Sequence, residues 1–489
     1  MISFTLSLIA LIVGYLFYGK FIERVFGPDD RVTPAVAKAD GVDYITLPNW
    51  KIFMIQFLNI AGTGPIFGAI MGAKFGPSAY LWIVFGCIFA GAVHDYLSGM
   101  LSMRNDGAAL PELVGKYLGL TTKKVMLVFS VLLLLMVGSV FVYSPAEILH
   151  TIGGSTVMWI AIIFCYYIIA TLLPVDKIIG RVYPLFAISL LFMAVALMVV
   201  LYVKFPVLPE LWDGLGNKAR EVVPTWTDNI FPCLFITVAC GAISGFHATQ
   251  SPLMARCIKS ERAGRPIFYG AMITEGVVAL IWATVSAYFF YGEPAPGYKL
   301  MEAAQATGFS TSAPQVVTIV CNDWLGIVGG ILALLGVVAA PITSGDTAFR
   351  SARLIIADFL HMDQHAMYKR LLICVPLFAV SIALLLWQIG NPDGFNVIWQ
   401  YFGWSNQALS VFTLWTLTVF LARSGRPYII TLIPALFMTT VCSTFIFVSR
   451  QALYLPEQIG YPLGIVCLVI AFIWFELWYN KFKKAKENK

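Results

Sequence analysis

Apolar stretches of about twenty residues recur along this chain with little between them. A helix needs ~20 such residues to cross ~30 Å of hydrocarbon. Measured with that ruler, the sequence predicts about thirteen membrane spans. In order, spans 1 to 13 cover residues 2–19, 52–72, 79–103, 125–143, 157–173, 182–203, 230–254, 266–290, 327–347, 371–388, 396–421, 428–449 and 461–479. Composition agrees: 59% of the 489 residues are hydrophobic, 12% are charged and the mean hydropathy is +0.81, far from the soluble globular range. The predicted fold class is an all-α polytopic membrane protein, one transmembrane domain over residues 1–489 with no linker or soluble module.

The basic residues test both the number and the placement of the spans, because Lys and Arg collect in cytoplasmic loops. With thirteen spans, one set of alternate loops and the C-terminal tail holds 26 of the 32 Lys and Arg residues. The opposite set holds only Lys74, Lys204, Lys218, Arg220, Lys299 and Arg450. A miscounted span would scramble that asymmetry from the error onward. The split therefore predicts an outside N-terminus and a cytoplasmic C-terminus, and it accounts for the +6 net charge without a nucleic-acid partner. No basic residue precedes the first apolar run and no Ala-x-Ala-like exit follows it, so span 1 is expected to be a retained helix. The nine cysteines show no C-x-x-C spacing and lie mostly inside spans, as small buried hydrophobes.

Two spans break in a similar way. Span 2 contains Asn59-Ile-Ala-Gly-Thr-Gly-Pro-Ile-Phe-Gly68, and span 7 contains Gly241-Ala-Ile-Ser-Gly-Phe-His-Ala-Thr-Gln-Ser-Pro252. They are five spans apart. Spans 2 to 6 (about 50–203) and 7 to 11 (about 230–421) then read as two five-helix repeats, the second inverted because five is odd. Span 1 and the last two spans are peripheral. Paired Gly/Pro interruptions at corresponding positions point to a midplane substrate site in secondary transporters. The plainer alternative is two glycine packing faces with a proline kink. On the transporter reading, the substrate candidates are Asn59, Gly62, Thr63 and Gly64 in the first break and Ser244, Gly245, His247 and Gln250 in the second.

An ionisable side chain inside a span is costly and is a functional candidate by default. His94 and Asp95 lie about nine residues from the end of span 3 at Met103, and Glu275 about nine from the start of span 8 at Pro266. At 1.5 Å per residue all are ~14 Å deep. They are candidates for taking up and releasing a coupling proton, or for pinning neighbouring helices. His247 reads as a substrate ligand, a proton site or a tie to carbonyls freed by the break. Thr343, Ser344, Asp346 and Thr347 cluster oxygens at the end of span 9, either as a Na⁺ site completed by carbonyls of span 2 or, with Arg350 and Arg353 neutralising Asp346, as an anchor. His361 and His365, at i,i+4 with Asp363 between them, are a weak metal candidate that needs the segment to be helical. Glu112, in the polar hinge after span 3, is a candidate lock of the inward face. No phosphate cradle, nucleophile elbow or zinc-protease motif is present in the sequence.

Four long segments carry a family resemblance: NIAGTGPIFGAIMGAKFGP (59–77), GAVHDYLSGMLSMRNDGAALPELVGKYLG (91–119), FPCLFITVACGAISGFHATQSP (231–252) and APITSGDTAFRSARLIIAD (340–358). In these the chain closely resembles the carbon starvation protein family, CstA, in a short form. The resemblance implies a bacterial plasma-membrane nutrient transporter of LeuT-like inverted-repeat fold, linked to carbon starvation, with peptide uptake and, in some members, proton-coupled pyruvate uptake.

Together these readings predict a secondary active importer of a small carboxylate-bearing nutrient, not an enzyme. Its coupling ion is a proton or, alternatively, Na⁺; no cofactor is expected, and its partners are the small-molecule substrate and the bilayer. The rival function is a nutrient sensor that retains the transporter fold.

Overall fold

The computed structural model describes residues 1–489 except 42, 173–174, 222–227, 293–312, 363, 365, 392–393 and 488–489. Among the described residues there is no strand. Nine helices are long and apolar enough to cross a bilayer, and the bent pair Asn49–Ile60 and Gly64–Phe75 makes a tenth. Among the described residues, ten of the thirteen predicted spans thus meet that test of length and composition when the bent pair is taken as one. The other three predicted spans are helical but differ in kind. Span 5 is the shorter Thr156–Leu172; span 7 is interrupted; span 11 is Gly394–Arg423, which carries Asn406 and Gln407 in its middle.

Several boundaries move for local reasons. Span 1 runs on to Phe26, because Ile22 and Phe26 give the extra two turns a buried face, and Gly27 ends the helix with a left-handed φ of 62°. Span 9 belongs to the long segment Ala313–Phe359, whose helix is broken at Gly326 (φ 65°, ψ −173°). Between spans 1 and 2, Pro34–Ala37 forms a single helical turn.

Spans 3, 7 and 8 meet at the centre because small residues line their contacts. A Cβ on Gly91 of span 3 would sit 2.2 Å from the Ala242 carbonyl oxygen, and one on Gly276 of span 8 would sit 2.7 Å from Cys87 Sγ. Only glycine permits approaches that close. Just before the His94 segment, residues Trp82–Gly91 widen to i→i+5 hydrogen bonding, a departure from the α-helix that often marks functional stretches. Neither the widening nor its register is readable from hydropathy.

At the end of the bundle that carries the basic loops, charges stitch separate segments together. Glu261, with a fully buried side chain, receives both Arg104 Nε (2.9 Å) and Nη2 (2.8 Å) and the Asp29 backbone N–H (3.0 Å). Arg262 pairs with Asp30 at 2.7 Å, Arg265 with Glu23 at 2.9 Å, and Lys123 with Glu112. Arg31 and Arg262 hold the Asp29 and Asp30 carboxyls, respectively, below the usual carboxylate range, chiefly through their side-chain hydrogen bonds.

Candidate functional site

The two breaks lie against each other. Span 2 unwinds at Ala61–Thr63, between Asn49–Ile60 and Gly64–Gly72, and its two halves differ in direction by 42°. Span 7 unwinds between Phe235–Thr237 and the half-helix His247–Ala255. A Cβ on Gly64 would come within 2.3 Å of Cys240 Sγ, and one on Gly68 within 3.0 Å of the Thr237 carbonyl oxygen. Gly64 and Gly68 of span 2 thus let span 7 approach.

Unwound backbone at this depth needs partners, and span 11 supplies them to span 7. Asn406 Oδ1 accepts from Ser244 Oγ (3.0 Å) and from the Phe246 N–H (2.7 Å), while the Asn406 carbonyl accepts from the Gly245 N–H (3.2 Å). Span 9 does the same for span 2, where Ser344 Oγ lies 2.9 Å from the Asn59 carbonyl oxygen and 3.2 Å from that of Leu58. The sequence reading missed Asn406; its signal was the polar run Ser405-Asn-Gln407 in the middle of an apolar span. Asn406→Ala is expected to destabilise the protein by ~1–3 kcal/mol, since it leaves the Phe246 N–H buried without a partner. Thermal melting in detergent checks this, and an unchanged midpoint would contradict the role.

His247 opens its half-helix and brings together the ionisable residues of three spans. Its Nδ1 lies 2.7 Å from Asp95 Oδ2, and its Nε2 lies 3.3 Å from Glu275 Oε2, within ion-pair distance but off the line of a hydrogen bond. His94 Nδ1 lies 2.8 Å from the other Asp95 oxygen. All four side chains are fully buried. The result is a continuous chain His94, Asp95, His247, Glu275. A neutral imidazole donates through one nitrogen and the imidazolium through both, so adding or removing one proton changes which carboxylate His247 can hold. Among the described residues, both Glu275 oxygens and His94 Nε2 have no hydrogen-bond partner.

The same is true of polar atoms along the first break. Both amide atoms of Asn59, both of Gln56, Thr63 Oγ1 and, from the second broken helix, Gln250 Oε1 are buried and without hydrogen-bond partners among the described residues. Buried polar groups in native structures are almost always satisfied by protein or water. Gln56, three residues before Asn59 and so on the same helix face, was also missed by the sequence reading. These side chains form a buried polar surface along the two breaks.

The remaining candidates do not form one site. Thr343 Oγ1 hydrogen-bonds to the Ala339 and Ala340 carbonyls of its own helix, and Thr347 does likewise to Thr343 and Ser344. Asp346 accepts from the Tyr183 hydroxyl at 2.6 Å. Ser344 alone of that cluster hydrogen-bonds to the span 2 break. His361 lies in a turn past the helix end with φ 52°, so the helical face its pairing with His365 required is absent there; Asp363 and His365 lie outside the described residues. Among the described residues, no group of three or more His, Cys, Asp or Glu side chains is placed to hold a metal.

Comparison with known proteins adds lineage to this geometry. The family model described as carbon starvation protein CstA matches residues 1–151, 143–327 and 298–445. An uncharacterized membrane protein of Haemophilus influenzae is 47% identical over 59% of this chain and 91% of its own. The peptide transporter CstA of Bacillus subtilis is 26% identical over 96% of both chains, and that of Escherichia coli is 26% identical over 86% of this chain and 76% of its own. Among solved structures, a manganese transporter of Eremococcus coleocola superposes over 91% of this chain and 99% of its own, with a TM-score of 0.55 at 11% identity. A Na⁺-coupled sialic acid symporter superposes over 95% and 96%, with a TM-score of 0.51 at 14% identity. At those identities the likeness shows a shared fold.

Proposed function

This chain belongs to the carbon starvation protein CstA family, and we propose that it is a secondary active importer that uses a proton gradient to bring a small carboxylate-bearing nutrient, a peptide or pyruvate, across the bacterial plasma membrane during carbon starvation. The observation that carries this reading is His247, placed at the first residue of a broken half-helix and held between carboxylates from two other spans.

Substrate binds between the breaks of spans 2 and 7. Peptide N–H groups of the first break near Gly62 and Gly64 and the N-terminal ends of the half-helices favour a carboxylate, whereas the Gly245 N–H is already taken by the Asn406 carbonyl. Asn59, Gln56, Thr63 and Gln250 supply neutral hydrogen-bond partners. A proton enters the His94, Asp95, His247, Glu275 chain as substrate binds and leaves it on the other side. Na⁺ is the second choice of coupling ion, because the proposed oxygen cluster contributes only Ser344 to the break.

The architecture that serves this cycle is thirteen spans, with spans 2 to 6 and 7 to 11 forming two inverted five-helix repeats of LeuT-like type, the N-terminus outside and the basic loops in the cytoplasm. Support comes from the matched breaks, the loop charges and the transporter structures that superpose on more than nine-tenths of the chain. Uptake of labelled dipeptide and labelled pyruvate into proteoliposomes under imposed proton or sodium gradients tests the proposal. Accumulation of at least one, driven by the proton gradient, is the expected result. No uptake of either would overturn it.

A further inference from the structure

At the end of the bundle opposite the basic loops, a cavity of about 430 Å³ opens between the ends of the two broken helices and the turn joining spans 12 and 13. That volume lies in the roughly 300–1,000 Å³ range of small-molecule pockets. Met71 of the second half of span 2, Ile236 and Thr237 of the first half of span 7, and Gly403 of span 11 line it. The cavity therefore ends on the same broken helices that meet at His247.

Its wall carries both signs of charge. Lys74 and Asp228 pair at 2.5 Å, with their side chains 22% and 48% exposed, and Arg450 and Glu457 line the same space. Lys74 in particular holds the Asp228 carboxyl below its usual range, so it is ionised at neutral pH. Asn229 Nδ2 donates to Glu457 Oε1 (2.7 Å) and lies 2.9 Å from the Tyr461 hydroxyl, which in turn donates to the Phe231 carbonyl (3.0 Å). Glu457 and Tyr461 are thereby fixed to the start of span 7.

We propose that this cavity is an entry station for a zwitterionic peptide, with Lys74 and Arg450 receiving the terminal carboxylate and Asp228 and Glu457 the terminal ammonium. The inference rests on the importer reading and deepens it by naming the substrate class. A monocarboxylate such as pyruvate can use only the two cations, and both acids repel it. A short peptide with free termini uses all four groups, exchanging the Lys74–Asp228 pair for two ion pairs to itself. The charges are partly exposed, so the exchange does not require burying an unpaired ion. Once bound there, the peptide lies against the outer ends of both broken helices.

The test is concentration-dependent uptake by proteoliposomes carrying wild type, Asp228→Asn or Arg450→Gln, with labelled dialanine, its N-acetyl derivative and its C-terminal amide as probes. Asp228→Asn is expected to raise KM for dialanine about tenfold, the scale of one charge-assisted hydrogen bond, with kcat within about twofold and no change for the N-acetyl probe. Arg450→Gln is expected to raise KM for dialanine and leave the amide unaffected. Equal KM changes for blocked and free probes would assign these residues a structural role and overturn the inference, as would unchanged KM throughout. Wild-type uptake of pyruvate without any dialanine uptake overturns the entry station and leaves the importer standing; uptake of neither overturns both.

Discussion

Replacing Asp95 by Asn is expected to cut gradient-driven accumulation at least ~100-fold while leaving a folded protein. Among the described residues Asp95 is the only group that touches both histidines, one through each oxygen. The amide presents one acceptor and one donor where the carboxylate presents two acceptors. The chain from His94 to Glu275 is then cut at its centre. Removing one partner of a buried pair costs ~3–5 kcal/mol, and about 2.7 kcal/mol suffices for ~100-fold. Substrate exchange without a gradient separates the possible causes. A coupling defect abolishes accumulation and spares exchange, whereas an unfolded variant loses both and melts early. Glu275→Gln is expected to act in the same direction with a smaller effect, because its link to His247 is a single 3.3 Å approach. Wild-type accumulation in both variants would remove them from the coupling mechanism.

Gly245→Ala is expected to be strongly damaging for a single-methyl change. The added Cβ would sit 2.4 Å from the Asn406 carbonyl oxygen, from Leu409 Cβ and from the Ser410 backbone nitrogen. Two of the three are backbone atoms of span 11, which cannot swing aside as a side-chain tip can. Overpacking a tight contact costs ~1–3 kcal/mol and occasionally more, and here it also pushes the Gly245 N–H away from its acceptor on Asn406. Loss of uptake by about tenfold or more, with a lower melting midpoint, is the expected result. Gly390→Ala serves as the control, since a Cβ there meets nothing within 4 Å. Equal behaviour of the two variants would show that spans 7 and 11 need not stay in contact at the break.

These sites were legible in the sequence to very different degrees. The apolar spans and both breaks follow from hydropathy and from glycine and proline placement, because a bilayer leaves the backbone few alternatives. Asp95, His247 and Glu275 were each identifiable as costly charges in apolar surroundings. Their convergence was not, since it depends on the packing of Gly91 and Gly276 and on the widened helix at Trp82–Gly91. The oxygens of the span 9 cluster have local ties that the sequence does not display. A helical threonine can hydrogen-bond to the carbonyl four residues back, and Thr343 and Thr347 do so, while Tyr183, distant in sequence, engages Asp346. Asn406 and Gln56 went unnoticed because a neutral amide in a span carries a weaker signal than a charge, although structurally they matter as much.

The central claim is that substrate and proton cross together through the His247 chain. The most direct measurement is luminal pH in proteoliposomes loaded with a pH-sensitive dye, followed as dialanine or pyruvate is added outside without an imposed gradient. Wild type is expected to acidify the lumen as the transported substrate enters, in a fixed ratio to labelled uptake, and Asp95→Asn to show no such acidification. Substrate entry with an unchanged luminal pH would contradict the account.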